Sequence, residues 1–154
     1  MASTYEIVKK FKNKYPSTIC WRIKKHSKLV DQNLYPDEVV NYAFAAQNNT
    51  SHGNIFDTAV LAITNKRLII AQDYILFGYD LNSITPDLYN DMQVHAGIIW
   101  GMITIDTIKE TIYFSNLSKQ ALPEIQKEIT SYMMEAKTKY YKKEKNDVWD
   151  WRHQ

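Results

Sequence analysis

The sequence predicts an α+β protein that is mainly β: an antiparallel barrel or sandwich, preceded by short helices and followed by one long helix. Three observations predict this class. About seven short segments with alternating apolar residues follow one another from residue 39 onward. A segment near the C-terminus then repeats apolar residues at helical spacing, and the first 34 residues do the same over shorter stretches.

The clearest element is a hairpin at residues 57–72. Ala59, Leu61 and Ile63 fall on one face of an extended strand. Leu68 and Ile70 continue an apolar face on the return strand, after a polar reversal at residues 64–67. Further strands are predicted at residues 39–47, within 74–84, and at 92–100, 102–106 and 111–114.

Two helices are predicted before the sheet. The first spans residues 5–15 and ends at Pro16, with its apolar residues at helical spacing. The second is expected to begin at Ser17 or Thr18, whose hydroxyl would cap it, and to extend to Val30.

The last helix is predicted over residues 118–143, with Pro123 in its opening turn. The chain then divides into a helical arm at residues 1–34, a domain at 35–143 that includes the last helix, and a flexible tail with two tryptophans at 144–154.

Size and composition fit one domain. The chain has 154 residues, which is enough for one packed core. Its four glycines are scattered, so a glycine-rich phosphate loop is not expected. One cysteine, Cys20, cannot form an internal disulfide, and no apolar run reaches the roughly 20 residues that span a bilayer. These features predict a soluble, cytoplasmic protein.

The net charge of +2 conceals an asymmetry. The first 30 residues contain a single carboxylate, Glu6, whereas acidic residues predominate from 31 to 134. We name the N-terminal positive residues the basic arm: Lys9, Lys10, Lys12, Lys14, Arg22, Lys24, Lys25 and Lys28. The arm could lie on an anionic membrane, contact nucleic-acid phosphates, or pack across the acidic body, and we favour packing.

Several segments resemble a known family. They are Leu34-Tyr35-Pro36-Asp37-Glu38, the run from Leu61 to Ile70 with its Thr-Asn-Lys-Arg-Leu reversal, Ile103-Thr104-Ile105, and the run from Ile112 to Leu117. In these the chain is similar to bacterial pleckstrin-homology (PH) domains of the YokE-like group over about residues 34–134. The resemblance implies a partly open barrel of two orthogonal sheets, plugged at one end by the C-terminal helix.

The resemblance also implies a binding module without catalysis. PH-like modules bind lipid headgroups, peptides or further copies of themselves. Members that bind phosphoinositides place lysines and arginines around the loop between the first two strands. Residues 48–54, which form that loop here, contain no lysine or arginine. An inositol-phosphate site is therefore not expected.

Four residues are candidates for contact with a partner: Lys66, Arg67, Trp149 and Trp151. The two cations lie in the hairpin reversal, where charges are usually solvated, and Arg67 could instead pair with a nearby carboxylate. The two tryptophans could dock on a partner or on their own barrel.

No catalytic or metal-binding pattern is found. His26, His52, His95 and His153 lack the spacing of a zinc site, and a single cysteine on an apolar stripe is usually a core residue. We therefore expect no cofactor, no metal and no small-molecule substrate.

The predicted function is that of a non-enzymatic interaction module that binds a protein partner or another copy of itself. The alternative is an adaptor that binds a membrane or nucleic acid through the basic arm. The small, single-domain chain would suit a phage or accessory-genome product.

Overall fold

The computed structural model describes residues 2–50 and 57–152, with side chains as far as residue 147. Two helices come first, seven strands follow, and a short 3-10 turn leads into a long helix. The helices are α1 Thr4–Lys14, α2 Ile23–Gln32 and α3 Leu122–Arg152. The strands are β1 Val40–Asn48, β2 Thr58–Thr64, β3 Leu68–Asp73, β4 Tyr79–Ile84, β5 Tyr89–Ala96, β6 Trp100–Thr107 and β7 Thr111–Ser118.

The seven strands form one antiparallel sheet in the order β4-β3-β2-β1-β7-β6-β5. The sheet curls into a half-barrel, and α3 packs into it, which confirms the predicted fold class. Because neighbouring strands are antiparallel, the β1–β2, β3–β4 and β6–β7 connections leave one end of the sheet, which we call the upper end. The β2–β3 and β5–β6 connections leave the opposite, lower end. These names describe strand ends and not distances, because residues 85–88 alone join the lower end of β4 to the upper end of β5.

The main core lies inside the half-barrel. Leu61 and Ile70 project into it from the hairpin, as the alternating pattern predicts. Phe44, Ile103 and Phe114 come from other strands, and α3 contributes the buried residues Ile125, Ile129 and Met133. Their spacing of four residues gives α3 a single apolar stripe toward the sheet.

A second apolar layer lies on the outer face of β1, β2 and β3. Its strand residues are mostly small, with four buried alanines at positions 43, 45, 62 and 71. Val8 of α1 and Leu29 and Val30 of α2 pack against them. The two helices of the predicted arm thus cover this face, and every residue of β2 is buried.

Helix α1 also reaches the main core. Its Phe11 side chain is buried there, with ring centroids 5.7 Å from Phe44 and 6.4 Å from Tyr42. The Tyr42 hydroxyl donates to Glu124 at the start of α3 at 3.0 Å. Helix α1 therefore packs on the sheet beside the start of the C-terminal helix, as the favoured alternative for the arm expects.

The second helix begins later than predicted, at Ile23 after a left-handed Arg22. Residues before it run along the sheet instead. The Ile19 backbone N–H donates to the Asn116 carbonyl at 2.9 Å. The Thr18 hydroxyl oxygen accepts from the Ser118 backbone N–H, also at 2.9 Å. The predicted cap residue therefore satisfies a strand amide and not a helix amide.

Other boundaries also differ. Residues 74–78 and 97–99 form turns, although both stretches are predicted to be extended. Helix α3 continues to Arg152, whereas a flexible tail is predicted from residue 144. No glycine or proline follows Pro123, and the lysines and glutamates there favour a helix, so nothing in the sequence ends it earlier.

Gly101 permits the start of α3 to approach β6. A Cβ atom at this position would lie 2.6 Å from the Leu122 Cδ1 atom. The β6–β7 register also shifts between Gly101 and Ile103. Gly101 therefore allows a close approach of the Leu122 side chain next to the register shift.

Candidate functional site

The β2–β3 turn, which contains two of the predicted partner-binding residues, is bound to the segment before β1. The Asn65 side-chain oxygen accepts from the Val39 backbone N–H at 2.8 Å. The Asn65 amide group donates to the Asp37 carbonyl at 3.1 Å. The two most recognisable motifs of the sequence, Tyr35-Pro36-Asp37-Glu38 and Thr64-Asn65-Lys66-Arg67, therefore lie against each other.

Arg67 lies inside this junction. Only 5% of the residue is exposed, and its Nε and Nη2 atoms each donate to one oxygen of Glu38 at 2.9 Å. The guanidinium also donates to the Ser83 hydroxyl and the Asn33 carbonyl, and the Tyr35 ring lies 4.3 Å away. The predicted partner contact for Arg67 does not fit this burial, whereas the alternative of a carboxylate partner does.

The Glu38 carboxylate is ionised in this setting. Burial acts to raise the pKa of Glu38, but hydrogen bonds from Arg67 and Thr64 outweigh burial, so the pKa lies below its usual value. The hydrogen bond to Glu38 in turn raises the pKa of Arg67. The pair stabilises the junction and presents no free charge.

Lys66 differs from its neighbour because it is exposed. Its ammonium group lies 2.8 Å from the Asp37 carboxylate, which is itself largely exposed. Such a surface pair contributes little to stability, so Lys66 can exchange Asp37 for another acidic group. Of the two cations in the turn, only Lys66 is available to a partner.

The basic arm is partly neutralised within the chain. The Lys12 ammonium donates to the carbonyls of Pro16 and Thr18, Lys14 pairs with Glu124 at 2.5 Å, and Arg22 pairs with Asp73. Lys24 is exposed, and its ammonium lies 5.9 Å from the centroid of the Tyr5 ring. Together with Lys24, four further exposed lysines of the basic arm have no ion pair with any described residue: Lys9, Lys10, Lys25 and Lys28.

The two predicted tryptophan contacts cannot be placed. The backbone at positions 149 and 151 belongs to α3, but the Trp149 and Trp151 side chains lie outside the described residues. Their role as partner contacts stays a prediction.

Two clusters of exposed apolar residues are absent from the sequence prediction. The upper apolar tip is Ile75, Leu76 and Phe77, in the turn between β3 and β4. The lower apolar tip is Ile98 and Ile99, in the turn between β5 and β6. Both stretches are predicted as strand because a continuous apolar run resembles a buried strand, and only Gly78 and Gly97 signal the reversals.

His26 connects the beginning of α2 to the upper end of the sheet. Its Nδ1 atom accepts from the Asp73 backbone N–H at 2.8 Å, so the proton of the neutral ring is on Nε2. Nε2 faces the Thr58 hydroxyl at 3.2 Å, and that hydroxyl donates to the Trp21 carbonyl. Burial, reinforced by the charge of Arg22, lowers the pKa of His26 to about 4.

The family model of the bacterial PH domain matches residues 34–131. The chain belongs to the bacterial PH domain family. The crystal structure of a pleckstrin homology domain from Shewanella amazonensis SB2B is similar at 16% sequence identity, with a TM-score of 0.47. That match covers 73% of this chain and 89% of the other. No curated protein matches the chain.

PH-like domains are generally non-catalytic modules. Burial raises the pKa of the Cys20 thiol, which opposes nucleophilic reactivity. His95 is exposed on β5, while His52 and His153 lie outside the described residues. Within residues 2–50 and 57–152, no group of three histidine, cysteine or acidic side chains could hold a metal ion.

The bacterial PH domain has an open groove of about 490 Å³ between α1, β1 and α3. Phe11 and Tyr42 line it, and charges of both signs lie around it. Lys14 and Tyr42 both donate hydrogen bonds to the Glu124 carboxylate, so part of the polar lining is already paired within the chain.

None of the described helices is both long and apolar enough to cross a membrane.

The Glu38–Arg67 pair gives a first test, by urea unfolding near pH 7. Arg67→Met leaves a buried carboxylate without its cation and should lower the free energy of unfolding by about 3–5 kcal/mol. Lys66→Met, one position away, should cost less than about 1 kcal/mol because its pair is exposed. Adding Glu38→Gln to Arg67→Met should restore part of the loss. Equal losses for the two single variants would contradict the buried pair.

His26 predicts a pH dependence of stability. Its pKa is about 4 in the folded chain against an ordinary 6.5, so unfolding takes up a proton between these values. The folded state should lose up to about 3 kcal/mol as the pH falls from 6.5 to 4. His26→Asn, which keeps an acceptor near Nδ1, should flatten this part of the profile, and the exposed His95→Asn should not. An unchanged profile in His26→Asn would refute the assignment.

Proposed function

We propose that this bacterial PH domain is a non-catalytic interaction module that binds a protein partner at its lower end. The observation that supports this most directly is the lower apolar tip. Ile98 is 95% exposed and Ile99 is 65% exposed. Trp100 beside them is positioned by a hydrogen bond from its indole N–H to the Ser17 carbonyl at 3.0 Å. Apolar groups fixed in position at low entropic cost are suited to a protein interface.

The neighbouring surface supports the same proposal. Helices α1 and α2 cover the outer face of β1–β3, but Met102 and Tyr113 are exposed on the outer face of β6 and β7. Among the described strands β5 pairs only with β6, and although Lys137 of α3 donates to its Tyr89 carbonyl at 2.6 Å, the rest of its outer edge could pair with an added strand. A partner could bind the apolar tip, the sheet face and this edge together.

A second copy of the chain could use the same edge, because an isologous pairing of β5 strands satisfies both edges. A homo-oligomer is therefore the other form of this proposal. Lys66, which is exposed in the β2–β3 turn, is proposed to meet acidic groups on the partner. Trp149 and Trp151 remain proposed contacts.

The alternative function, an adaptor that binds a membrane or nucleic acid through the basic arm, is supported by fewer charges than the sequence predicts. Lys12, Lys14 and Arg22 form contacts within the chain. The lysines of the arm that stay exposed are Lys9, Lys10, Lys24, Lys25 and Lys28.

Four further expectations from the sequence stay predictions. They are membership of the YokE-like group, a cytoplasmic location, a phage or accessory-genome origin, and the lack of a small-molecule substrate.

The test compares the full-length chain with Ile98→Ser/Ile99→Ser in pull-downs from a lysate of the native host, together with light-scattering mass. Ile108→Ser is the matched control, because Ile108 is also exposed but lies in the β6–β7 turn at the upper end. The proposal expects a protein, or a second copy, that binds the wild type and the control and is lost from the double variant. Equal binding to all three chains, or a monomer that captures nothing, would overturn it.

A further inference from the structure

Helix α3 continues past the barrel as an overhang, which we define as residues 138–147. Among the described residues, the last hydrogen bond from α3 to the sheet runs from the Lys137 ammonium to the Tyr89 carbonyl at 2.6 Å. Every residue of the overhang is exposed. A helix rises about 1.5 Å per residue, so the overhang extends about 15 Å and is long enough to contact another molecule.

One face of α3 combines apolar groups with positive charge at the overhang. Met134, Tyr141, Lys142 and Lys145 follow one another at helical spacing and therefore share this face. Met134 is 67% exposed although the neighbouring Met133 is buried, so the face points away from the core of its own barrel. Neither Lys142 nor Lys145 has an ion pair with a described residue. The face is thus available to a partner that is acidic and partly apolar.

The outer face of β5, β6 and β7 has the opposite charge. Residues 79–118 contain five carboxylates and one lysine. Asp91 and Asp106 lie directly opposite each other in the β5–β6 register, and both are exposed beside a depression of about 260 Å³. Neither has an ion pair with a described residue. Like charges directly opposite each other repel, so a cation between them would stabilise this part of the sheet.

The two surfaces match in spacing as well as in charge. Residues three apart on a helix have Cβ atoms about 5–6 Å apart, which applies to Lys142 and Lys145. Opposite residues of an antiparallel pair have Cβ atoms about 4.5–5.5 Å apart, which applies to the two aspartates. Each lysine can therefore pair with one aspartate. Tyr141 lies beside Lys142, and the exposed Tyr113 of β7 offers it an aromatic neighbour on the acidic face.

We propose that the overhang of α3 docks on the outer face of β5–β7 of a second copy of the chain, where Lys142 and Lys145 pair with Asp91 and Asp106. The overhang does not reach this face of its own chain, because α3 is one continuous helix that packs on the inner face of the sheet, and neither glycine nor proline follows Pro123. Each copy offers one overhang and one acidic face, so two contacts related by a two-fold axis close a dimer.

This inference rests on the homo-oligomeric form of the proposed function and gives it a surface of its own. The overhang also lies outside the match to the family model, which ends at residue 131. Asp91 lies five residues before Ala96, the last residue of β5 before the lower apolar tip. That separation is about 17 Å along an extended strand, so substitutions at one surface leave the other intact.

The experiment measures the light-scattering mass of the full-length chain as its concentration rises. The wild type should reach twice the mass of one chain, and the dimer should weaken as salt rises from ~0.1 M to ~0.5 M. Lys142→Glu/Lys145→Glu and Asp91→Lys/Asp106→Lys should each weaken the dimer by about 100-fold, because attraction becomes repulsion at both contacts. A mixture of these two variants should recover the dimer, since each contact then joins opposite charges again.

Lys139→Glu/Lys143→Glu is the matched control, because it makes the same change of charge on another face of the same helix. It should dimerise like the wild type, and so should Ile98→Ser/Ile99→Ser, which tests the proposed contact at the lower tip separately. A monomeric wild type, a mixture that stays monomeric, or an equal loss in the control would overturn the proposal. So would a mass that falls in Ile98→Ser/Ile99→Ser and not in the charge variants, since the second copy would then bind at the lower tip.

Discussion

Small side chains on the outer face of β1, β2 and β3 determine the architecture of this protein. Alanines at positions 43, 45, 62 and 71 leave room for two helices to approach the sheet closely, and Val8, Leu29 and Val30 fill the space between. Half of the sheet is therefore buried on both faces. Burial at roughly 25 cal/mol per Å² of apolar surface makes this layer a main source of stability, in addition to the core inside the barrel.

This constraint decides which surfaces remain for binding. The outer face of the first three strands is occupied, and Arg67, which the sequence offers as a contact, is enclosed with Glu38 where the two motifs meet. Among the described residues, the outer face of β5–β7 and the β3–β4 and β5–β6 turns remain exposed. Both apolar tips lie in such turns.

The sequence predicts the inner face of the hairpin correctly because Leu61 and Ile70 obey the period of two that any half-buried strand shows. It does not reveal that Val60 and Ala62 on the other face are covered, since small apolar residues are also tolerated near water. The start of α2 is missed because the Thr18 hydroxyl can accept from a helix amide or a strand amide with equal ease.

The upper apolar tip shows a different limit. Residues 74–77 are apolar and aromatic, as a buried strand would be, and only Gly78 distinguishes a turn. Exposure depends on what the rest of the chain leaves uncovered, and no local pattern encodes that. The pairing of Arg67 with Glu38 is similar, because the two residues are 29 positions apart and their approach depends on the junction between β1 and the β2–β3 turn.

The central claim is that α1 and α2 form one cooperative unit with the sheet. Native-state hydrogen exchange of the full-length chain tests it most directly. The account predicts that the amides of Phe11 and Val30 exchange with the same free energy as that of Leu61 in β2, so that all three open only when the whole domain unfolds. Exchange at Phe11 and Val30 through a low-energy opening that leaves Leu61 protected would contradict it.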